Sequence, residues 1–201
     1  MKIKNWELSL IAAIIVTLFV TTGASKSQAA LADKLIRLHV VANSDSDEDQ
    51  ALKLRVRDSV LFTLAEPLVG ITDAESAKAV ITDHLNEIEN AASHEIHAAG
   101  FDCGVMVSLA AEYLPTRKYD TFSLPAGRYI ALRVVIGDGN GKNWWCVVFP
   151  PLCTEIAESG AVADAALLDD EEIKLITEQE GYVFKFKCIE LLSVVKGWFV
   201  K

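Results

Sequence analysis

Between Asp47 and Gly100 apolar residues recur every three or four positions, and between Phe101 and Phe149 they recur every second position. The first spacing gives a helix one apolar face, and the second does the same for a strand. A chain that keeps its helical block apart from its strand block folds as α+β. The arrangement expected is an antiparallel sheet with two main helices packed on one face. At 201 residues a single core suffices.

Local signals divide the two blocks. Leu35 to Val41 alternates, with Ile36, Leu38 and Val40 on the core face of a strand. Asn43-Ser44-Asp45-Ser46-Asp47 then stops it, because these side chains hydrogen-bond their own backbone and suit a turn and an N-cap. A helix is expected from Asp47 to Glu66, with Leu52, Val56, Val60 and Leu64 inward and Pro67 ending it. Thr72 and Glu75 stand at capping-box spacing. The helix they open carries one stripe, Ala77, Ile81, Leu85, Ile88, Ala92, Ile96 and Ala99, up to a C′ glycine at Gly100. In the strand block, Val105, Val107 and Leu109 alternate. Tyr129 to Ile136 reads as a central strand after a turn at Leu124-Pro125-Ala126-Gly127. Gly137-Asp138-Gly139-Asn140-Gly141 then predicts a hairpin into Asn143–Phe149.

The ends differ from this domain, which is placed at residues 33–153. Lys2 and Lys4 precede an apolar stretch from Leu8 to Val20, and small residues follow up to Ser27-Gln28-Ala29-Ala30. A basic region, an apolar stretch of about 13 residues and a small-x-small site fit a secretory signal peptide over residues 1–29. The stretch is shorter than the roughly 20 residues of a comfortable membrane span. An uncleaved N-terminal anchor is the alternative to cleavage near Ala29. Residues 154–181 form an acidic connecting segment, in which Lys174 is the single basic residue and a short helix is expected around Glu171 to Thr177. Over residues 182–201, Tyr182, Phe184 and Phe186 alternate as a strand. Cys188, Leu191, Leu192, Val195, Trp198 and Phe199 then follow helical spacing, giving a C-terminal amphipathic helix too short to cross a bilayer.

The net charge of −9 argues against a nucleic-acid partner, since phosphates need clustered Lys and Arg. Four cysteines allow three connectivities. The reading taken is that all four are small buried hydrophobes. A turn at Pro150-Pro151 would nonetheless let Cys146 and Cys153 pair as a candidate disulfide.

Asp45, Asp47 and Asp49 alternate like calcium-loop ligands, but Gln50 and Val56 stand where the loop needs Gly and a bidentate Glu. Helix capping explains them better. His94-Glu95-Ile96-His97 spaces its histidines three apart, where the zinc-protease motif needs four. The Gly-rich loop at 137–141 precedes a strand and not a helix, so it lacks the N–H groups of a phosphate cradle. No nucleophile elbow occurs. The residues therefore indicate no catalytic set, no metal site and no cofactor.

Trp144 and Trp145 are adjacent on a strand and point to opposite faces. If one fills the core, the other is either an exposed contact residue, as Trp often is at hot spots, or is covered by another element.

Three stretches together resemble the stage II sporulation protein R family. The first is Ile36-Arg37-Leu38-His39-Val40-Val41-Ala42-Asn43-Ser44-Asp45-Ser46, with Asp49 to Leu54 and Val56-Arg57-Asp58 behind it. The second is Leu124-Pro125-Ala126-Gly127 with Ala131 to Gly137. The third is Asn143-Trp144-Trp145-Cys146 with Phe149-Pro150-Pro151-Leu152-Cys153. Asp47 departs from the pattern, where Pro is common, and so do Arg128 and Ile130, where acidic residues are common. The resemblance implies a protein made in the forespore and exported into the intermembrane space. There it would activate the membrane-embedded peptidase that processes pro-sigma-E, as a ligand and not as the protease. Candidate partner-binding residues are His39, Asn43 and Asp45 at the end of the first strand, and Asn143, Trp144 and Trp145 on the last. A cell-envelope hydrolase and a structural envelope protein are the rival readings.

Overall fold

The computed structural model describes residues 28–119 and 122–151, together with Lys4, Leu168, Ile173, Ile176 and Thr177. Most of the expected signal peptide, most of the acidic segment, and the strand and amphipathic helix expected over 182–201 lie outside the described residues. The elements are β1 (Ile36–Val41), α1 (Asp47–Ala65), α2 (Ala74–Asp83), α3 (Leu85–Ala98), β2 (Val105–Leu114), β3 (Arg117–Lys118), β4 (Ser123–Leu124), β5 (Gly127–Ile136) and β6 (Asn143–Phe149).

β1 is buried at all six of its positions, and this decides the topology. A strand covered on both faces belongs in the middle of a sheet. The strand order is β2-β5-β1-β6. β1 runs parallel to β5, with Leu38 opposite Leu132, and antiparallel to β6, with Leu38 opposite Cys146. β2 pairs antiparallel with β5 from Val105↔Ile136 to Leu114↔Gly127. β3 and β4 form a two-stranded ribbon in the connection between β2 and β5.

The α+β class is therefore as the sequence indicates, but two expectations need correcting. The sheet is mixed and not antiparallel throughout. β5 and β6 do not form a hairpin, because β1 lies between them. Residues 137–142 carry the chain across the end of β1, a width of two strand spacings or about 10 Å. They are held there by backbone bonds to the β1–α1 loop: Asn140 N donates to Asn43 O at 3.0 Å, and Gly141 N to Ala42 O at 2.9 Å.

The helices follow their sequence signals with one interruption. Ser46 caps α1, its Oγ accepting from Asp49 N at 3.2 Å. Asp73, and not Thr72, caps α2, its Oδ1 accepting from Ser76 N at 2.8 Å. The expected single helix breaks at His84, whose backbone (φ −97°, ψ 6°) leaves the helical region. His84 Nδ1 lies 2.8 Å from the Val80 carbonyl, a local alternative to a regular turn. The apolar stripe survives the break, since Ala77, Ile81, Ile88, Ala92 and Ile96 are all fully buried. Gly100 takes φ +81° and closes α3, its N–H donating to His97 O at 2.9 Å.

Each face of the sheet carries its own core. On one face, Ile36, Leu38, Val40, Leu132, Val134 and Ile136 join the inward residues of the three helices. On the other, Tyr129, Ala131 and Val147 join Leu31, Leu35, Leu114, Phe122 and Leu124, together with Leu168 and Ile176. Residues 28–33 are helical and begin this second layer. Burying a Leu or Ile side chain is worth about 1.5–3 kcal/mol, so both layers contribute to holding β1 in place.

Candidate partner-binding site

The β1–β6 ladder brings the two predicted groups together. His39 lies opposite Trp145, Val40 opposite Trp144, and Val41 opposite Asn143. Asn43 and Asp45 follow in the loop beyond the end of β1. The six residues lie along one strand pair and its loop end, divided between the two faces of the sheet.

Of these, Asn43 and Asp45 are engaged with neighbouring chain. Asn43 Nδ2 donates to Asp49 Oδ2 at 3.0 Å, while its Oδ1 accepts from Asp138 N at 3.0 Å. Asp45 Oδ1 accepts from Lys142 N at 2.7 Å. Lys53 reaches the same loop from α1, its Nζ donating to Lys142 O at 3.1 Å. Burial pushes the Lys53 ammonium below the usual lysine range, and the nearby Asp45 carboxylate opposes that shift. The glycines of the loop allow the close approach. A Cβ on Gly141 would collide with the Ser44 carbonyl oxygen, and one on Gly137 would collide with Asn43 Oδ1.

The tryptophans separate as a strand requires. Trp144 is 36% exposed, and the Arg57 guanidinium from α1 lies over its ring at 4.4 Å. Trp145 is half-buried on the opposite face, where His39 stacks on it. Near the other end of β6, Leu61, Leu64, Leu68, Ile71, Val148 and Pro151 line an apolar hollow of about 410 Å³. Val69, 77% exposed, also lines it, and Phe62 on α1 is 84% exposed.

The face beneath Trp145 holds polar residues that the sequence reading passed over. Arg37 has none of its surface exposed, and its guanidinium lies 5.0 Å from the Tyr129 ring and 5.7 Å from the Trp145 ring. Glu112 lies 3.7 Å from His39 Nδ1 and 3.6 Å from Arg133 Nη1. Burial pushes the His39 imidazole below its ordinary value, while Asn143 and Glu112 pull it upward. Cation–π contacts contribute about 0.5–2 kcal/mol, whereas taking a charge out of water costs several kcal/mol. The two rings therefore do not offset the burial of Arg37. Nothing local in the sequence announces it, because Arg37 alternates with Ile36 and Leu38 as the outward residue of a strand with one core face would.

Cys146 is disulfide-bonded, which corrects the reading of all four cysteines as inert hydrophobes. Cys153 and Cys188 lie outside the described residues, and so does the expected Cys146–Cys153 pairing. Cys103 is a free thiol, half-buried, and burial pushes its pKa up, away from the range of a catalytic thiolate. His94 stands exposed on α3, 3.9 Å from Glu95. Among the described residues no group of three His, Cys, Asp or Glu side chains could hold a metal ion.

The sequence profile described as Stage II sporulation protein R matches residues 32–159. The chain belongs to the stage II sporulation protein R family. It is 40% identical over 134 residues to the Stage II sporulation protein R of Bacillus subtilis (strain 168). That alignment takes in 66% of this chain and spans 60% of the relative's length. No solved structure matches. The family match contains every element described above, from β1 to β6, and with them all six candidate residues. Family membership assigns the chain a role in sporulation.

Proposed function

We propose that this chain is an exported sporulation signal that activates the membrane-embedded peptidase processing pro-sigma-E. Residues 1–29 direct it out of the forespore into the intermembrane space, either as a cleaved signal peptide or as an anchor. The domain over residues 33–153 then acts as a ligand and carries out no chemistry. The observation that carries this reading is the family match over residues 32–159. The part played by the peptidase is what the resemblance to that family implies.

The surface supports a ligand's role. A switch moves from mostly off to mostly on when its ligand binds the active state about 5.5 kcal/mol more tightly than the inactive one. Hot-spot residues contribute about 2–4 kcal/mol each. Exposed Trp144 and Phe62 are aromatic side chains of the kind that anchor such contacts, and Val69 lines the apolar hollow.

Reconstitution tests the proposal. The peptidase, pro-sigma-E and the full chain are combined, and removal of the pro-sequence is followed with and without the chain. Cleavage is expected only when the chain is present, and Trp144→Ala and Phe62→Ser are expected to reduce it while the fold is retained. Cleavage by the chain without the peptidase would make it an enzyme and end the proposal.

A further inference from the structure

β2 is an edge strand whose open side nothing in its sequence protects. It pairs with β5, and among the described residues no strand lies on its other side. The pairing runs residue for residue from Val105↔Ile136 to Leu114↔Gly127 without a bulge. Gly137 N donates to Gly104 O at 2.8 Å and extends the same register. Bonded pairs alternate in an antiparallel ladder, so Gly104 and every second residue after it direct their backbone groups to β5. The N–H and C=O groups of Val105, Val107, Leu109, Ala111 and Tyr113 therefore face the open edge. Edge strands are normally blunted by Lys, Pro, a bulge or short length. β6 shows such devices, with a register shift opposite Ile36/Arg37 and Pro150 directly after it. β2 keeps ten residues and has none of them.

We propose that β2 pairs with β2 of a second copy of this chain, joining the two sheets edge to edge about a twofold axis. Under that symmetry an identical strand arrives antiparallel, so each open N–H meets an open C=O. With the axis at Ala110, Leu109 of one copy lies opposite Ala111 of the other, and the backbone groups of both face the shared edge. The side chains match as well, since Val107 then lies beside Tyr113 and Met106 beside Leu114. Met106 and Tyr113 are 67% and 59% exposed in the single chain, and the pairing gives each an apolar neighbour. With the axis at Leu109, Met106 would face Glu112 instead. Ala110 is small and exposed, which admits close approach at the axis. Charge singles out the same edge. The chain carries −9 overall, so two copies repel. Glu112 is the one charged residue of β2, and it is engaged with His39 and Arg133. The pairing does not rest on the peptidase reading, and it leaves Trp144 outside the shared edge.

Sedimentation velocity of the full chain in mild detergent, over a range of concentrations, tests the pairing. The parent chain is expected to form dimers. Ala111→Pro removes an outward N–H that β5 does not use, a change tolerated on an edge strand. It is expected to weaken dimerisation about tenfold or more, because symmetry removes the bond twice, while Tm stays near the parent value. Association through the apolar stretch from Leu8 to Val20 would survive that substitution and count against the proposal. Ala110→Cys places two thiols at the axis, where opposed Cα atoms stand about 4.5 Å apart, within disulfide reach. It is expected to give a disulfide-linked dimer on oxidation, whereas Glu48→Cys, exposed on α1, is not. Should Ala111→Pro fail to fold, Ala111→Lys replaces it and sets a charge on each side of the pair. A monomer at every concentration overturns the proposal, whether the edge then takes a segment of this chain or of another protein. So does a dimer that the Ala111 substitution leaves intact, or an Ala110→Cys chain that does not link.

Discussion

His39 and Trp145 stack across the β1–β6 ladder, with ring centroids 3.8 Å apart and planes inclined by 12°. The pair couples the candidate contact residues to the buried layer around Arg37, because Trp145 belongs to both. It also gives the domain a titratable group inside its structure.

Stability should therefore depend on pH near the histidine range. Burial lowers the folded pKa of His39 below its unfolded value of 6.5. Below 6.5 the unfolded chain takes up a proton that the folded chain resists, so stability falls as pH drops until the folded pKa is reached. Above 6.5 the contribution is whole. Urea unfolding at a series of pH values should show this slope, and His39→Gln should flatten it. A slope unchanged by that substitution would contradict the assignment.

The interlocked loops should be intolerant of a single methyl group. Gly141→Ala places its Cβ against the backbone carbonyl of Ser44, which cannot rotate aside as a side chain would. A loss of about 2–4 kcal/mol is expected from that clash, read as a shift in urea midpoint.

Asn43 and Trp144 should separate scaffold from contact. Asn43→Ala removes hydrogen bonds to Asp49 and Asp138 and should destabilise by about 1–3 kcal/mol. Trp144→Ala loses an exposed contact with Arg57 and should change stability by about 1 kcal/mol or less. Its effect should appear instead in affinity for the peptidase. The opposite pattern would move the contact surface away from β6.

The thiols should behave unequally. Under non-reducing conditions Cys146 should resist alkylation, while Cys103 should react, and more slowly than an exposed thiol because burial raises its pKa. Mass spectrometry of alkylated peptides reads both, and rapid labelling of Cys146 would contradict the disulfide.

The change of period from helix to strand was legible in the residues, as were Ser46 as a cap, Gly100 as a helix stop and the opposed tryptophans. The strand order was not. A Gly-rich loop between two alternating runs looks the same whether the strands pair or straddle a third. Only the cover on both faces of β1 decides between these, and half of it comes from distant residues such as Leu31, Phe122 and Leu124. For the same reason Arg37 and His39 read as a solvent-facing row when their strand is viewed alone. The break at His84 turns on a contact between a ring nitrogen and a carbonyl, which apolar spacing does not register. Asn43 and Asp45 are visible in sequence as turn formers, but their partners at Asp138 and Lys142 lie about a hundred residues away along the chain, and no local pattern announces them.

Deleting the gene in its native host tests the central claim most directly, with pro-sigma-E followed by immunoblot through sporulation. The expected result is that pro-sigma-E stays unprocessed, and that expression of this chain in the forespore alone restores processing. Normal processing in the deletion strain, with export of the chain intact in the parent, would contradict it.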